Sequence, residues 1–248
     1  MKKYRFLAVC LMAAMSVTAV RAEGSFTLGA GVGVNQHPWR GYGADTRLIP
    51  AVSYDGDTFW FRGLGGGVYL WDDASDTLSI AAWWAPVYFK PGDSDNRRLR
   101  LLDERKSTMM AGVTWSHHTP LGFLRTSIAG DALGNSHGGV WDVAWLYRYV
   151  NGGLTLTPGV GMVWNSRKQN DYYYGVSRHE SLRSGLPRYE PGSSVTPYLE
   201  MSVNYRFESG WGVYGSARYR HLSDEETGSP MVDKKWDGIL STGITYHF

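Results

Sequence analysis

The sequence predicts an all-β chain: a transmembrane, antiparallel, up-and-down β-barrel of about 12 strands, with ten as the alternative, preceded by a cleaved signal peptide. Three observations lead there. In the final stretch, Leu240, Thr242, Ile244, Tyr246 and Phe248 fall on one face, and Ser241, Gly243, Thr245 and His247 on the other, the period of two that marks a strand. A strand at a chain end leaves an unpaired edge unless another strand covers it. In a closed barrel the first strand does so. The same alternation recurs along the chain in segments of about 10 to 13 residues, the span of a tilted strand across a bilayer. Composition agrees: 31 Gly, 11 Trp and 16 Tyr accompany only 19% charged residues, which suits aromatic girdles around a lumen lined by small residues.

At the start of the chain, Lys2, Lys3 and Arg5 precede an apolar run, and Val20-Arg-Ala22 provides small residues before Glu23. Residues 1–22 therefore read as a signal peptide and residues 23–248 as one barrel domain. The single cysteine, Cys10, falls in the leader, so the mature chain is expected to have no thiol chemistry and no disulfide. Removing the leader takes four positive charges and no negative ones from the formal +2, leaving −2. Nucleic acid is not the partner this implies. No stretch after residue 22 approaches the roughly 18 apolar residues of a membrane helix.

The first mature strand lies near 25–34. Its Gly29-x-Gly31-x-Gly33 mimics a nucleotide loop, but the glycines fall at period two and no helix follows. A loop over 35–46 leads to a strand at 47–54, and Asp55-Gly-Asp57 is a tight turn. Further strands follow from shared faces. Leu78, Ile80, Ala82, Trp84, Pro86 and Tyr88 form one, Met109 to His117 the next, then Trp141 to Tyr149, Leu154 to Trp164, and Val195 to Phe207. Connections alternate short and long, with tight turns on the periplasmic side and longer loops outside. Residues 58–71 must go up and return, and Gly63, Gly65, Gly66 and Gly67 provide the reversal between two short strands.

Several long strings resemble the MipA/OmpV family of outer-membrane proteins: Phe59-Trp-Phe-Arg-Gly-Leu-Gly-Gly-Gly67, Arg105-Lys-Ser-Thr-Met-Met-Ala-Gly112, Trp145-Leu-Tyr-Arg-Tyr149, residues 170–180, and Ser229-Pro-Met-Val-Asp233. The likeness covers essentially the whole chain. It implies a cell outer-membrane scaffold, without catalysis or cofactor, that brings the lytic transglycosylase MltA together with a bifunctional penicillin-binding murein synthase. It carries over no catalytic residue and does not identify contact residues. Topology suggests those. Periplasmic partners reach only the short turns, which places contacts around Asp55, Asp57, Asp72, Asp73, Asn151 and Glu208.

Other chemistries are weighed against this. His221-Leu-Ser223, with Glu225 or Glu226 behind it, looks like the His-x-Ser pattern of lipid A deacylases, although Asp224 stands where those have Asn. The plainer reading is a polar strand end entering a loop. His117 and His118 are adjacent on a strand and point to opposite faces, which argues against one shared metal. Glu200, Arg206, Asp142, Arg148, Arg125 and Asp131 are expected to face the lumen. There, together with Trp83 and Tyr198, they fill it rather than line a pore, and a transport or adhesion barrel acting through its outer loops is the alternative. Basic residues of two outer loops, Arg97 to Lys106 and Arg167 to Arg188, either pair with lipopolysaccharide phosphates or are neutralised by interleaved acids. Tyr172-Tyr-Tyr174 is read as folding over the mouth.

Overall fold

The computed structural model describes residues 24–248, so the leader and Cys10 lie outside the described residues. The strands are β1 (Ser25–Gln36), β2 (Asp45–Asp55), β3 (Phe59–Arg62), β4 (Gly65–Asp72), β5 (Asp76–Ala85), β6 (Thr108–Thr119), β7 (Gly122–Asp131), β8 (Gly139–Leu146), β9 (Tyr149–Asn151), β10 (Leu154–Asn165), β11 (Ser194–Arg206), β12 (Trp211–His221) and β13 (Trp236–His247). Every neighbouring pair is antiparallel. The ring closes because β13 pairs with β1 from Gln36↔Gly238 to Thr27↔His247. The terminal residue completes the seam: Phe248 donates its N–H to the Phe26 carbonyl at 3.0 Å, and the two rings lie 5.5 Å apart.

Thirteen segments make twelve strands. β8 and β9 pair with β10 in one unbroken register, Leu146↔Gly159 continuing to Tyr149↔Leu156. Between them Tyr147 donates to the Pro158 carbonyl at 2.9 Å, but Pro158 has no N–H to return the bond. One proline thus splits a single spanning strand into two.

The expected reversal within 58–71 is present. Phe59↔Val68 to Arg62↔Gly65 form a short hairpin, and its turn residue Gly63 has φ +59°, a conformation that costs a residue with Cβ. The glycines of β1 serve packing. A Cβ on Gly31 would lie 2.2 Å from the Tyr214 hydroxyl, and one on Gly243, opposite it, 2.6 Å from the Tyr214 ring. The glycine pair is therefore the space over which the Tyr214 side chain lies along the inner wall.

Outward positions are apolar and exposed, among them Leu28, Val32, Ile80, Val160, Leu199 and Ile244, as a lipid-facing band requires. Aromatic pairs mark its boundaries: Tyr219 stacks on Trp236 at 5.6 Å near the outer end, and Trp211 meets Tyr246 at 5.3 Å near the end carrying the short turns.

Two expectations need correction. The strand read through Tyr88 stops at Ala85: Pro86 cannot donate to the ladder, and Tyr88 turns under the outer loops, 6% exposed, instead of facing lipid. The long loops also carry helices that strand periodicity gave no hint of. These are α1 (Arg167–Tyr174), α2 (Arg178–Ser184) and α3 (Asp224–Thr227), capped by Ser166, Ser177 and Ser223. With the loops before β2 and β6 they enclose a water-shielded apolar core above the barrel: Trp39, Phe89, Leu99, Tyr173, Tyr174 and Met231 are all nearly inaccessible. Trp39 anchors it, donating its indole N–H to the Tyr88 carbonyl at 2.9 Å. Trp39→Ala is expected to cost this cap about 3–5 kcal/mol, the usual loss for emptying a buried indole site. Limited trypsin digestion checks it: cleavage at Arg97 and Arg98 accelerates while the strands stay protected.

Candidate functional site

Inside the lumen a network of charges joins β7, β8, β11 and β12. From β7, Arg125 reaches Glu200 of β11 at 3.1 Å and the Tyr198 hydroxyl at 3.3 Å. Tyr198 donates to Asp142 of β8 at 2.7 Å. From β12, Arg218 donates to the other oxygen of Asp142 at 2.7 Å, and its guanidinium carbon lies 3.6 Å from the centre of the Tyr198 ring. Two cations, two anions and one phenol pair with one another along one side of the lumen, as partly desolvated charges tend to, with the Arg218 Nε left without a partner. The sequence reading placed Arg125, Asp142, Glu200 and Tyr198 inside, and the structure joins them. Arg218 of β12 is a further member. Below the network, Arg148 and Arg206 line a cavity of about 510 Å³. Asp131 does not join them. It sits at the outer end of β7, where it accepts from Thr108 and the backbone N–H groups of Leu133, Ser136 and His137.

Above, the cap is locked by a buried ion pair. Arg105 donates to Glu180 at 2.7 Å and to the Gly175 carbonyl at 3.1 Å. Glu180 also accepts from the N–H of Asp103 and, as the capping box of α2, from the N–H and hydroxyl of Ser177. Of the remaining loop cations, Arg183 pairs with Asp103, Arg188 and Arg167 with Glu190, and Arg100 with Asp95, while Arg97, Arg98, Lys106, Lys168 and Arg178 have no carboxylate within 4.0 Å among the described residues, so the loops are neutralised in part. Tyr173 and Tyr174 lie over the mouth and are buried; Tyr172 is partly so.

The predicted contact residues all sit at the end carrying the short turns, but in different states. Asp57 and Glu208 are exposed, and Asn151 is exposed at the end of β9. Asp72 accepts from Thr77 at 2.8 Å, and Asp73 caps its turn by accepting from the N–H of Ser75 and Asp76. Asp55 is held in the wall by Arg62 and by Tyr69 at 2.6 Å.

The other candidates take structural places. Ser223 caps α3: its hydroxyl donates to Glu226 at 3.0 Å, while Glu226, fully buried, also accepts from the Ser223 N–H and from Thr196. His117 binds Asp76 at 2.9 Å, whereas His118 stacks on Phe123. Among the described residues no cluster of three His, Cys, Asp or Glu is placed to hold a metal.

The family model for the MltA-interacting protein MipA matches residues 28–248. The chain belongs to the MipA family. It is 60% identical over 248 residues, all of both chains, to the MltA-interacting protein of Escherichia coli K12, and 37% identical over 235 residues, 95% of this chain and 96% of the other, to the putative outer membrane protein YiaT of the same strain. Among solved structures, the COG4313 outer membrane channel of Pseudomonas putida F1 covers 90% of this chain and 96% of its own, with TM-score 0.46 and 10% identity. This is an outer-membrane β-barrel of that family.

Glu180 offers a handle on the cap. Burial pushes its carboxyl up, but the Arg105 guanidinium and the N–H groups of Asp103 and Ser177 outweigh that and hold it below its ordinary 4.5. A depressed folded value contributes stability that is complete above the unfolded value and fades as pH falls through the folded one. The cap is therefore expected to loosen below about pH 4.5, while Glu180→Gln removes most of that acid dependence. Protease susceptibility of 165–193 against pH reads both.

Proposed function

We propose that the chain is a non-catalytic outer-membrane scaffold. Its periplasmic rim docks the lytic transglycosylase MltA and a bifunctional penicillin-binding murein synthase, holding a cutting and a building activity at one place on the murein. The observation that carries this is double closure. An apolar loop core covers the mouth and an ion-pair network braces the lumen between β7 and β12, and the surface within reach of a periplasmic partner is the ring of short turns. The name of the Escherichia coli relative states an interaction with MltA, and full-length identity at this level supports carrying it across. The docking residues are Asp55, Asp57, Asp72, Asp73, Asn151 and Glu208. Asp57 and Glu208 stand out, because neither is spent on holding its own turn. Rim charges of this kind steer and orient a partner more than they supply raw affinity.

The test is capture of soluble MltA by the barrel in detergent or nanodiscs. Asp57→Lys with Glu208→Lys is expected to lower capture about tenfold, equivalent to about 1.4 kcal/mol, with the heat-modifiable gel shift of the folded barrel unchanged. Capture at the wild-type level would remove the rim from the proposal. A second measurement addresses the transport alternative: in planar bilayers the wild-type chain is expected to give no steady single-channel current, and a stable ohmic conductance would favour transport.

A further inference from the structure

Arginines on the inner wall of this barrel come with carboxylate partners, with two exceptions. Arg47 pairs with Asp45, Arg62 with Asp55, Arg125 with Glu200, Arg218 with Asp142 and Arg220 with Asp237. Arg148 and Arg206 break the pattern. Because side chains alternate along a strand, Arg148 continues the inward face of Asp142, Ala144 and Leu146, and Arg206 that of Tyr198, Glu200 and Asn204. Neither has a carboxylate within 4.0 Å among the described residues, the nearest lumen acids being spent on Arg125 and Arg218. Both are exposed.

The two share one space. They line the lower cavity of about 510 Å³ together with Ser53, Thr155, Asn204 and His247, a volume within the roughly 300–1,000 Å³ of a small-molecule site. None of the residues lining it is acidic. Asp55, the carboxylate of β2 at this end of the barrel, is engaged by Arg62 and Tyr69, and His247 shares a hydrogen bond of 2.8 Å with the Thr27 hydroxyl. A recess walled by one sign of charge and by low-dielectric strands concentrates ligands of the opposite sign.

Register fixes how the two cations are spaced. The unbroken run of β8 and β9 against β10 sets Arg148 level with Thr157, which is the partner of Ser202 on β11. Arg206, whose N–H donates to the Gly153 carbonyl at 2.8 Å, lies four residues beyond Ser202 toward the short turns. At about 3.3 Å per residue the step is about 13 Å along the wall. The positive charge is thus spread over a length instead of gathered at a point. Between the two levels stands the register pair Asn204↔Thr155, with an amide and a hydroxyl to offer.

We propose that the lower lumen seats an acidic peptide segment in extended form, entering from the end of the short turns and placing carboxylates several residues apart on Arg206 and Arg148. Each guanidinium takes a carboxylate through paired N–H groups, and Asn204 and Thr155 meet the peptide groups between. A small inorganic anion satisfies one guanidinium at a time and leaves the other bare. A folded domain stops at the turns, whereas an extended segment passes between them. The inference does not rest on the scaffold reading: capture of MltA is read at Asp57 and Glu208 and peptide binding at the two arginines, so either can fail without the other.

The test is fluorescence anisotropy of a dye-labelled, end-blocked peptide Glu-Ala-Glu-Ala-Glu, and of its counterpart with Gln for Glu, titrated with the whole barrel in phosphatidylcholine nanodiscs at low salt. The acidic peptide is expected to bind about tenfold more tightly than the neutral one. Arg148→Gln with Arg206→Gln abolishes that preference, and Lys168→Gln on the cap leaves it intact. Arg148→Gln alone, which breaks no ion pair, keeps the test valid if the double variant folds poorly, and it weakens the acidic peptide in the same direction. Equal affinity for the two peptides, a preference that survives the double variant, or displacement of the acidic peptide by an equal concentration of inorganic phosphate would overturn the inference.

Discussion

The constraint on which everything else depends is that hydrocarbon offers no partner for a peptide group. Each N–H or C=O left unpaired inside the bilayer costs several kcal/mol, so a twelve-stranded wall must return its last strand to its first. The β13–β1 seam does this over ten residue pairs, and the bond from Phe248 to Phe26 carries the closure to the final residue. Against that requirement the exceptions are informative. Pro158 removes one donor inside a strand and the register continues past it. Pro50 and Pro86 instead stand on the two sides of a place where the wall is incomplete, since β2 meets β3 only at Ser53, Tyr54 and Asp55.

Closure creates a second problem, because a cylinder encloses a polar interior that must itself be satisfied. Here the interior answers with its own charges. Arg125, Glu200, Asp142, Tyr198 and Arg218 come from four strands, β7, β8, β11 and β12, and each carboxylate faces a guanidinium. A network of this kind tolerates no vacancy, since removing one member leaves the others desolvated and unpaired. Above it the outer loops bury tryptophan and tyrosine against one another, placing a soluble-protein core outside the membrane and over the mouth. The molecule therefore presents three different chemistries in three places: apolar on the wall, neutralised in the network within, and acidic at the turns that face the periplasm.

The division suits a scaffold. A partner docking on short turns meets a surface braced by the strands above it, with Asp73 and Asp72 already fixing turn geometry through their own hydrogen bonds. Asp57 and Glu208 remain free to meet an incoming charge. On the proposed reading nothing in the lumen needs to move for that encounter.

Class and strand positions were legible in the sequence because both are local. Period-two alternation, glycine at the reversal and aromatic residues at strand ends each depend on a few neighbouring residues, and Gly63 is the plainest case. The inward face of Arg125, Asp142 and Glu200 was legible too, since a charge on a spanning strand has only one side to go. Their pairing was not, because the register across four strands decides which carboxylate meets which guanidinium. The loop helices and the Arg105–Glu180 pair, 75 residues apart, were hidden for the same reason, and Tyr88 was misplaced because strand periodicity cannot see a ladder ending at Pro86. The amino-acid sequence by itself determined a two-faced ribbon long enough to close. Only the tertiary structure decided that the closed ribbon is braced within by paired charges and capped by its loops, because those features arise where distant segments meet and compete for the same hydrogen bonds.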